Sequence, residues 1–115
     1  STIGASTAWQ LDFTGGGAYT NEISLANNAI YTLPAGSGVV YCYEISPNTN
    51  FAFAYLAYGS AYLTNVAGTA FSNTSGTSGK INIYYNGSGN YVIQNLTGSN
   101  ISAMAVSTIR FRTSA

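Results

Sequence analysis

Apolar residues recur at every second position along this chain, in short runs divided by stretches of Gly, Asn, Ser and Pro. A period of two marks strands with one buried face, and no window keeps the three-and-four spacing of a helix. The alternation predicts nine strands, at 8–13, 19–25, 29–33, 38–46, 51–58, 61–66, 80–85, 91–96 and 101–112. Turn signals separate them at intervals of about ten residues, the rhythm of a two-sheet fold. The expected fold class is therefore all-β: an antiparallel β-sandwich, jelly-roll-like, of eight to nine strands. At 115 residues the chain makes one domain, 1–115, with 1–13 as a candidate N-terminal arm or exchanged strand.

The turns are specified locally. Asn86-Gly87-Ser88-Gly89-Asn90 tolerates positive φ between two alternating runs and predicts a hairpin. Leu33-Pro34-Ala35-Gly36 is a turn in which proline sets φ and glycine relieves the position after it. The stretch 72–79 has no apolar anchor and reads as a mobile surface loop.

Period two also assigns faces. Val39, Tyr41, Tyr43 and Ile45 share one side of their strand, with Val40, Cys42, Glu44 and Ser46 on the other. Phe51, Phe53 and Tyr55 oppose Ala52, Ala54 and Leu56, and the small alanines leave room for a second layer. In the last strand Ile101, Ala103, Ala105, Ile109 and Phe111 read as one face. Met104 and Val106 then add an apolar patch to the nominally outer one.

Composition changes this picture in two ways. Ser, Thr, Asn and Gly supply 52 of the 115 residues while only six side chains are charged, so the surface is polar without being ionic. Three basic residues are too few to displace counterions from phosphates, which excludes nucleic acid as a partner. No run approaches the length of a membrane span, and no charged n-region with an apolar h-region opens the sequence, so membrane insertion is not expected. Apolar and aromatic positions exceed what one sandwich of this size must bury, and sparse charge offers little repulsion between copies. A homo-oligomer is the expected resolution.

Catalysis has little to draw on. With no histidine, a Ser-His-Asp triad, a Cys-His pair and a His-ligated zinc site are all ruled out within one chain. Asp12, Glu22 and Glu44 show no spacing that would pair two carboxylates, so no catalytic residue is assigned and no enzyme is expected. No Asp-rich loop suggests calcium, and lone acids cannot cage a metal without backbone help, so neither metal nor cofactor is assigned. Gly15-Gly16-Gly17 lacks the lysine and helix of a phosphate loop. Cys42, the single cysteine, sits in Val-Val-Tyr-Cys-Tyr and reads as a buried small hydrophobe.

Glu44 lies within the most apolar strand, where a charge is costly unless paired. Arg110 and Arg112 are its candidate partners in a structural ion pair, with sugar binding as the less favoured role. Tyrosine is the one residue type in functional excess, ten copies that join a flat apolar face to a hydroxyl. Tyr58, Tyr62 and Tyr84 are the candidate ligand-binding residues, each out of phase with the most apolar face of its strand. Asn-X-Ser/Thr sequons stand at Asn73, Asn86, Asn95 and Asn100, all placed in loops or strand ends.

Ile30-Tyr-Thr-Leu-Pro34-Ala-Gly36, Gly76-Thr-Ser-Gly79-Lys80-Ile-Asn-Ile-Tyr84 and Val92-Ile-Gln-Asn-Leu-Thr-Gly98, followed by a β-rich C-terminus, give the chain a likeness over about residues 30–111. It resembles the small β-sandwich modules at the distal ends of bacteriophage tail fibres and related virion-surface proteins. The resemblance implies a homotrimeric, protease-resistant module that recognises a host-surface glycan or protein or decorates a capsid, and it transfers no ligand-binding motif. The expected location is a virion surface or the extracellular space. Two rival readings of other classes stand beside it: an extracellular filament or pilus subunit built by strand exchange, and a small soluble lectin.

Overall fold

The computed structural model describes residues 17–115, so the strand expected at 8–13 and the arm at 1–13 lie outside the described residues. Nine strands follow in order: β1 (Gly17–Leu25), β2 (Ile30–Thr32), β3 (Ser37–Ser46), β4 (Asn50–Ala57), β5 (Ser60–Ala67), β6 (Phe71–Ser72), β7 (Ile81–Tyr85), β8 (Tyr91–Asn95) and β9 (Ile101–Arg112). They form a five-stranded sheet in the order β1-β9-β3-β4-β5 and a four-stranded sheet in the order β2-β8-β7-β6. The fold is all-β, as the alternation requires. The last strand lies between the first and third, and the penultimate strand beside the second, which is the nested order of a jelly roll. The middle of the chain departs from that plan, because β3, β4 and β5 run as a meander within one sheet. The two-residue β6 pairs in parallel with β7, a contact too short to leave a periodic signal.

The core lies between the sheets. Val40, Cys42, Ala52, Ala54, Met104 and Val106 face it from the larger sheet, and Ile81, Ile83, Tyr91 and Ile93 from the smaller. This fixes each strand's faces and overturns one expectation. Met104 and Val106 point into the core, while Ala105, Ile109 and Phe111 lie on the other side of β9 with the outward rows of β3. The reason is volume. Sheets pack about 10 Å apart, and the smaller sheet already contributes three isoleucines and a tyrosine, so the facing sheet presents Val, Cys, Ala and Met inward and its bulky rings outward. Ile101 is also buried, because the β1–β9 register shifts between Ile23 and Leu25 and reverses the alternation below that point.

The loop at 72–79 is exposed as expected but is fastened at several points. Gly76 N–H donates to Gln94 Oε1 (3.0 Å), Asn82 Nδ2 to the Thr77 carbonyl (3.0 Å), and Asn73 Nδ2 to the Ala61 carbonyl (2.9 Å). Thr77 Oγ1 also donates to the Thr74 carbonyl (2.8 Å). The stretch is held to its neighbours by its own backbone at Gly76 and Thr77, met by Gln94 and Asn82 of the smaller sheet, and by the side chain of Asn73.

Candidate functional site

Among the described residues, the outward face of the five-stranded sheet carries the largest concentration of exposed apolar side chains. The pairing builds it row by row. Tyr43 stands opposite Phe51 on β4 and Ala105 on β9; Tyr41 opposite Phe53 and Ser107; Val39 opposite Tyr55 and Ile109. Tyr62 on β5 continues the last row beside Tyr55. The rings interlock across strands. Tyr41 lies 6.4 Å from Phe51 and 5.9 Å from Phe53, and Tyr55 stacks on Tyr62 at 5.8 Å, the offset geometry that aromatic pairs favour. They remain in water nevertheless: Phe53 is 37% exposed, Tyr43 41%, Tyr55 44% and Phe111 57%. The face is an aromatic ridge on β3 and β4 beside a shallow trough of Ala105 and Ser107 on β9. Its carboxylate, Glu22, stands at the β1 margin opposite Ala105.

The sequence separated these two faces of β3 and β4 without showing which is outward, and of this surface it singled out Tyr62 alone. The signal that identifies it is the strict alternation of rings with Ala, Val and Cys in β3 and β4, which makes the small residues the tight-packing face.

The three candidate ligand-binding tyrosines divide between two places. Tyr62 and Tyr84 come together, with Tyr85, Asn73, Thr74 and Ser75, along an open cleft of about 380 Å³ where the edge of β5 meets β7 and the fastened loop. Tyr84 is half-buried there rather than exposed. No lining side chain of this cleft is charged at neutral pH. Its floor is rigid: the Tyr85 ring packs on Tyr91 at 5.2 Å, and the two hydroxyls accept hydrogen bonds from Gly89 N–H (2.9 Å) and Gly59 N–H (3.1 Å). Burial pushes the Tyr91 phenol up from its ordinary value, so it stays neutral.

Tyr58 stands apart, 83% exposed, with φ of 55° in the two-residue turn Tyr58-Gly59 between β4 and β5. A ring held outward in left-handed backbone is uncommon, since Asn or Gly usually fills such a position. It borders a smaller recess of about 120 Å³ with Tyr55 and Phe111.

The ion pair expected for Glu44 does not form. On the β3–β9 ladder Glu44 pairs with Met104 and Gly38 with Arg110, six rungs or about 20 Å away, and Arg112 lies farther still. Arg110 Nη1 donates to the Ala35 carbonyl (3.0 Å), and Arg112 holds Ser114 Oγ (2.7 Å from Nη2). Glu44 is only 3% exposed, and its Oε1 accepts a hydrogen bond from Asn50 Nδ2 (2.9 Å). It borders a polar cavity of about 240 Å³ at one end of the sandwich.

Cys42 is buried, and burial pushes its thiol up from 9.0 to about 12, which leaves it inert. Of the four sequons, Asn95 is fully buried with its amide engaged, while Asn73, Asn86 and Asn100 are exposed.

Comparison with known proteins finds no matching family model, no matching curated protein and no matching solved structure. What fold and surface together define is a class: a two-sheet β-sandwich whose outer face is aromatic on β3 and β4, with Glu22 at its margin.

Proposed function

We propose that the chain is a non-enzymatic, self-assembling module of a virion surface, of the tail-fibre-tip or capsid-decoration kind, with other copies of itself as its first partner. The observation that carries this reading is the aromatic outer face of β9, β3, β4 and β5. Four strands at 4.8 Å spacing and seven residues at 3.3 Å rise give it a projected area of about 440 Å². Side-chain relief brings that toward the roughly 800 Å² per partner of a stable interface. A contiguous apolar patch of this size on a lone subunit is a liability that association removes.

The occupant is a second copy, because ridge and trough lie side by side on one face. The ring-bearing rows of β3 and β4 of one subunit fit the Ala105–Ser107 trough of the next. Such a contact joins two different patches, and it closes into a ring when the rotation between copies allows. A trimer is the proposed ring. The Tyr62–Tyr84–Tyr85 cleft lies at the sheet edge, so it stays open for a cell-surface glycan or protein.

Light scattering coupled to size exclusion tests this. Wild type should have three times the 12.0 kDa mass of the chain. A variant with both Tyr41→Glu and Phe53→Glu should run as single chains with an unchanged β-sheet spectrum. A wild-type monomer, or an oligomer that survives both substitutions, would overturn the reading. Long polymers would overturn it in favour of a filament built by strand exchange, and a monomer that binds glycans would favour the lectin.

A further inference from the structure

We infer that the cavity at Glu44 is a binding site for one hard divalent cation of calcium size. Glu44 stands on the inward face of β3, in line with Val40 and Cys42, and is 3% exposed. A carboxylate in that setting needs compensation, because burying a charge without a partner costs several kcal/mol. Its neighbours provide little. The hydrogen bond it receives, from Asn50 Nδ2, reaches Oε1 alone. Among the described residues no basic side chain borders the cavity. Lys80, which follows the lining residue Gly79, directs Nζ to the Thr69 carbonyl at 2.5 Å.

The lining is rich in neutral oxygen. Asn48, Thr97, Ser99 and Asn100 border the same space as Glu44. The loop that carries three of them is held in place: Asn95 Nδ2 donates to the Ser99 carbonyl (2.8 Å), Thr97 Oγ1 donates to Asn95 Oδ1 (2.7 Å), and Asn100 Oδ1 accepts from Asn27 N–H (2.9 Å). A single negative charge among amide, hydroxyl and carbonyl oxygens is the donor set of a hard cation and excludes an anion.

The space of about 240 Å³ is that of roughly eight waters, so the ion keeps part of its hydration shell. Calcium accepts such an irregular, partly hydrated shell, whereas magnesium requires a near-ideal octahedron. Glu44 is the one carboxylate among the described residues that line the cavity, so affinity belongs in the weak range of extracellular modules, about 10⁻⁴–10⁻³ M.

The test is thermal melting of the full chain after EDTA treatment, titrated with calcium chloride to about 10 mM, ten times the weaker end of that range. Magnesium chloride and sodium chloride of matched ionic strength serve as controls. Calcium should raise the melting temperature by about 5 °C at ten times the Kd. Glu44→Gln keeps the acceptor for Asn50, so it should melt above wild type in EDTA and show no calcium response. Asn48→Ala and Ser99→Ala, which leave the buried carboxylate in place, should weaken calcium binding several-fold by titration calorimetry. A wild type indifferent to calcium, an equal response to magnesium or sodium, or a calcium response that persists in Glu44→Gln would overturn the assignment.

Discussion

Replacing Asn95 by Asp changes one NH₂ for one oxygen at the polar side chain with the most hydrogen bonds among the described buried residues. Asn95 is fully buried at the end of β8, with all of its polar groups engaged. Nδ2 donates to the Leu25 carbonyl (2.9 Å) and the Ser99 carbonyl (2.8 Å), while Oδ1 accepts from Thr97 N–H (3.0 Å) and Thr97 Oγ1 (2.7 Å). Aspartate keeps the accepting half and destroys the donating half: the Leu25 carbonyl loses the Asn95 donor, the Ser99 carbonyl keeps only Thr97 Oγ1 (3.0 Å), and both then face a buried carboxylate. The two lost hydrogen bonds cost about 1 kcal/mol each and the unpaired buried charge about 2 kcal/mol more, so the sum is about 4 kcal/mol. For a domain of this size that lowers the melting temperature by roughly 15 °C. The measurement is urea unfolding at neutral pH, with Asn86→Asp as control. Asn86 is exposed and uses only Oδ1, accepting from Ser88 N–H (2.7 Å) and Asn90 N–H (3.2 Å), so the same chemical change should be nearly neutral there. If Asn95→Asp costs less than about 1 kcal/mol, the claim that this amide ties β1, β8 and the loop before β9 together is wrong.

Three further outcomes follow from single features. The folded chain keeps the Cys42 proton up to about pH 12, whereas an unfolded thiol releases it near 9.0. Stability from this source is therefore intact below pH 9 and falls as pH rises toward 12, by up to about 1.4 kcal/mol per pH unit. Urea melts should show wild type losing stability faster than Cys42→Ala in that window, the Tyr91 contribution being common to both, and parallel slopes would refute it. Tyr58→Asn should stabilise by about 0.5–1 kcal/mol, since asparagine tolerates the φ of 55° and the ring gives up little packing; a loss in thermal melting would show that the ring is held by contacts. Gly38→Ala should destabilise by about 1–3 kcal/mol in denaturant unfolding, because its Cβ would collide with the Ile109 carbonyl on β9.

Strand positions were legible because period two is a local property, and 81–85 and 91–95 fall where the alternation and the Asn-Gly turn put them. Which side of a strand faces inward was less legible, because alternation defines two faces without ranking them. In β4 the more apolar row, Phe51, Phe53 and Tyr55, is the outward one, and the ranking depends on how much volume the opposite sheet already fills. The fate of Glu44 was out of reach for a related reason. Charge alone proposed Arg110, and only the β3–β9 register shows six rungs between them. Tyr62 and Tyr84 did converge on one cleft, yet the contribution of Asn73 to Ser75 depends on hydrogen bonds that fasten a loop which reads as free.

Low charge constrains how such a surface achieves specificity. Salt bridges ordinarily set the register of an interface and repel wrong partners, and the ring-bearing strands β3 and β4 present no charged side chain on this face, Glu22 standing two strands away on β1. Shape and hydrogen bonding are what remain. The ridge over β3 and β4 and the trough on β9 provide shape, because a ring fits against Ala105 or Ser107 but clashes with another ring in the same row. Tyr41, Tyr43 and Tyr55 supply hydroxyls at the top of the ridge, and these need acceptors once water is displaced. A correctly seated copy can satisfy them, whereas a copy shifted by one strand places hydroxyl against ring and leaves buried polar groups unpaired. In the proposed assembly discrimination would therefore rest on the tyrosine hydroxyls and attraction on the rings that carry them, and neither would depend appreciably on ionic strength.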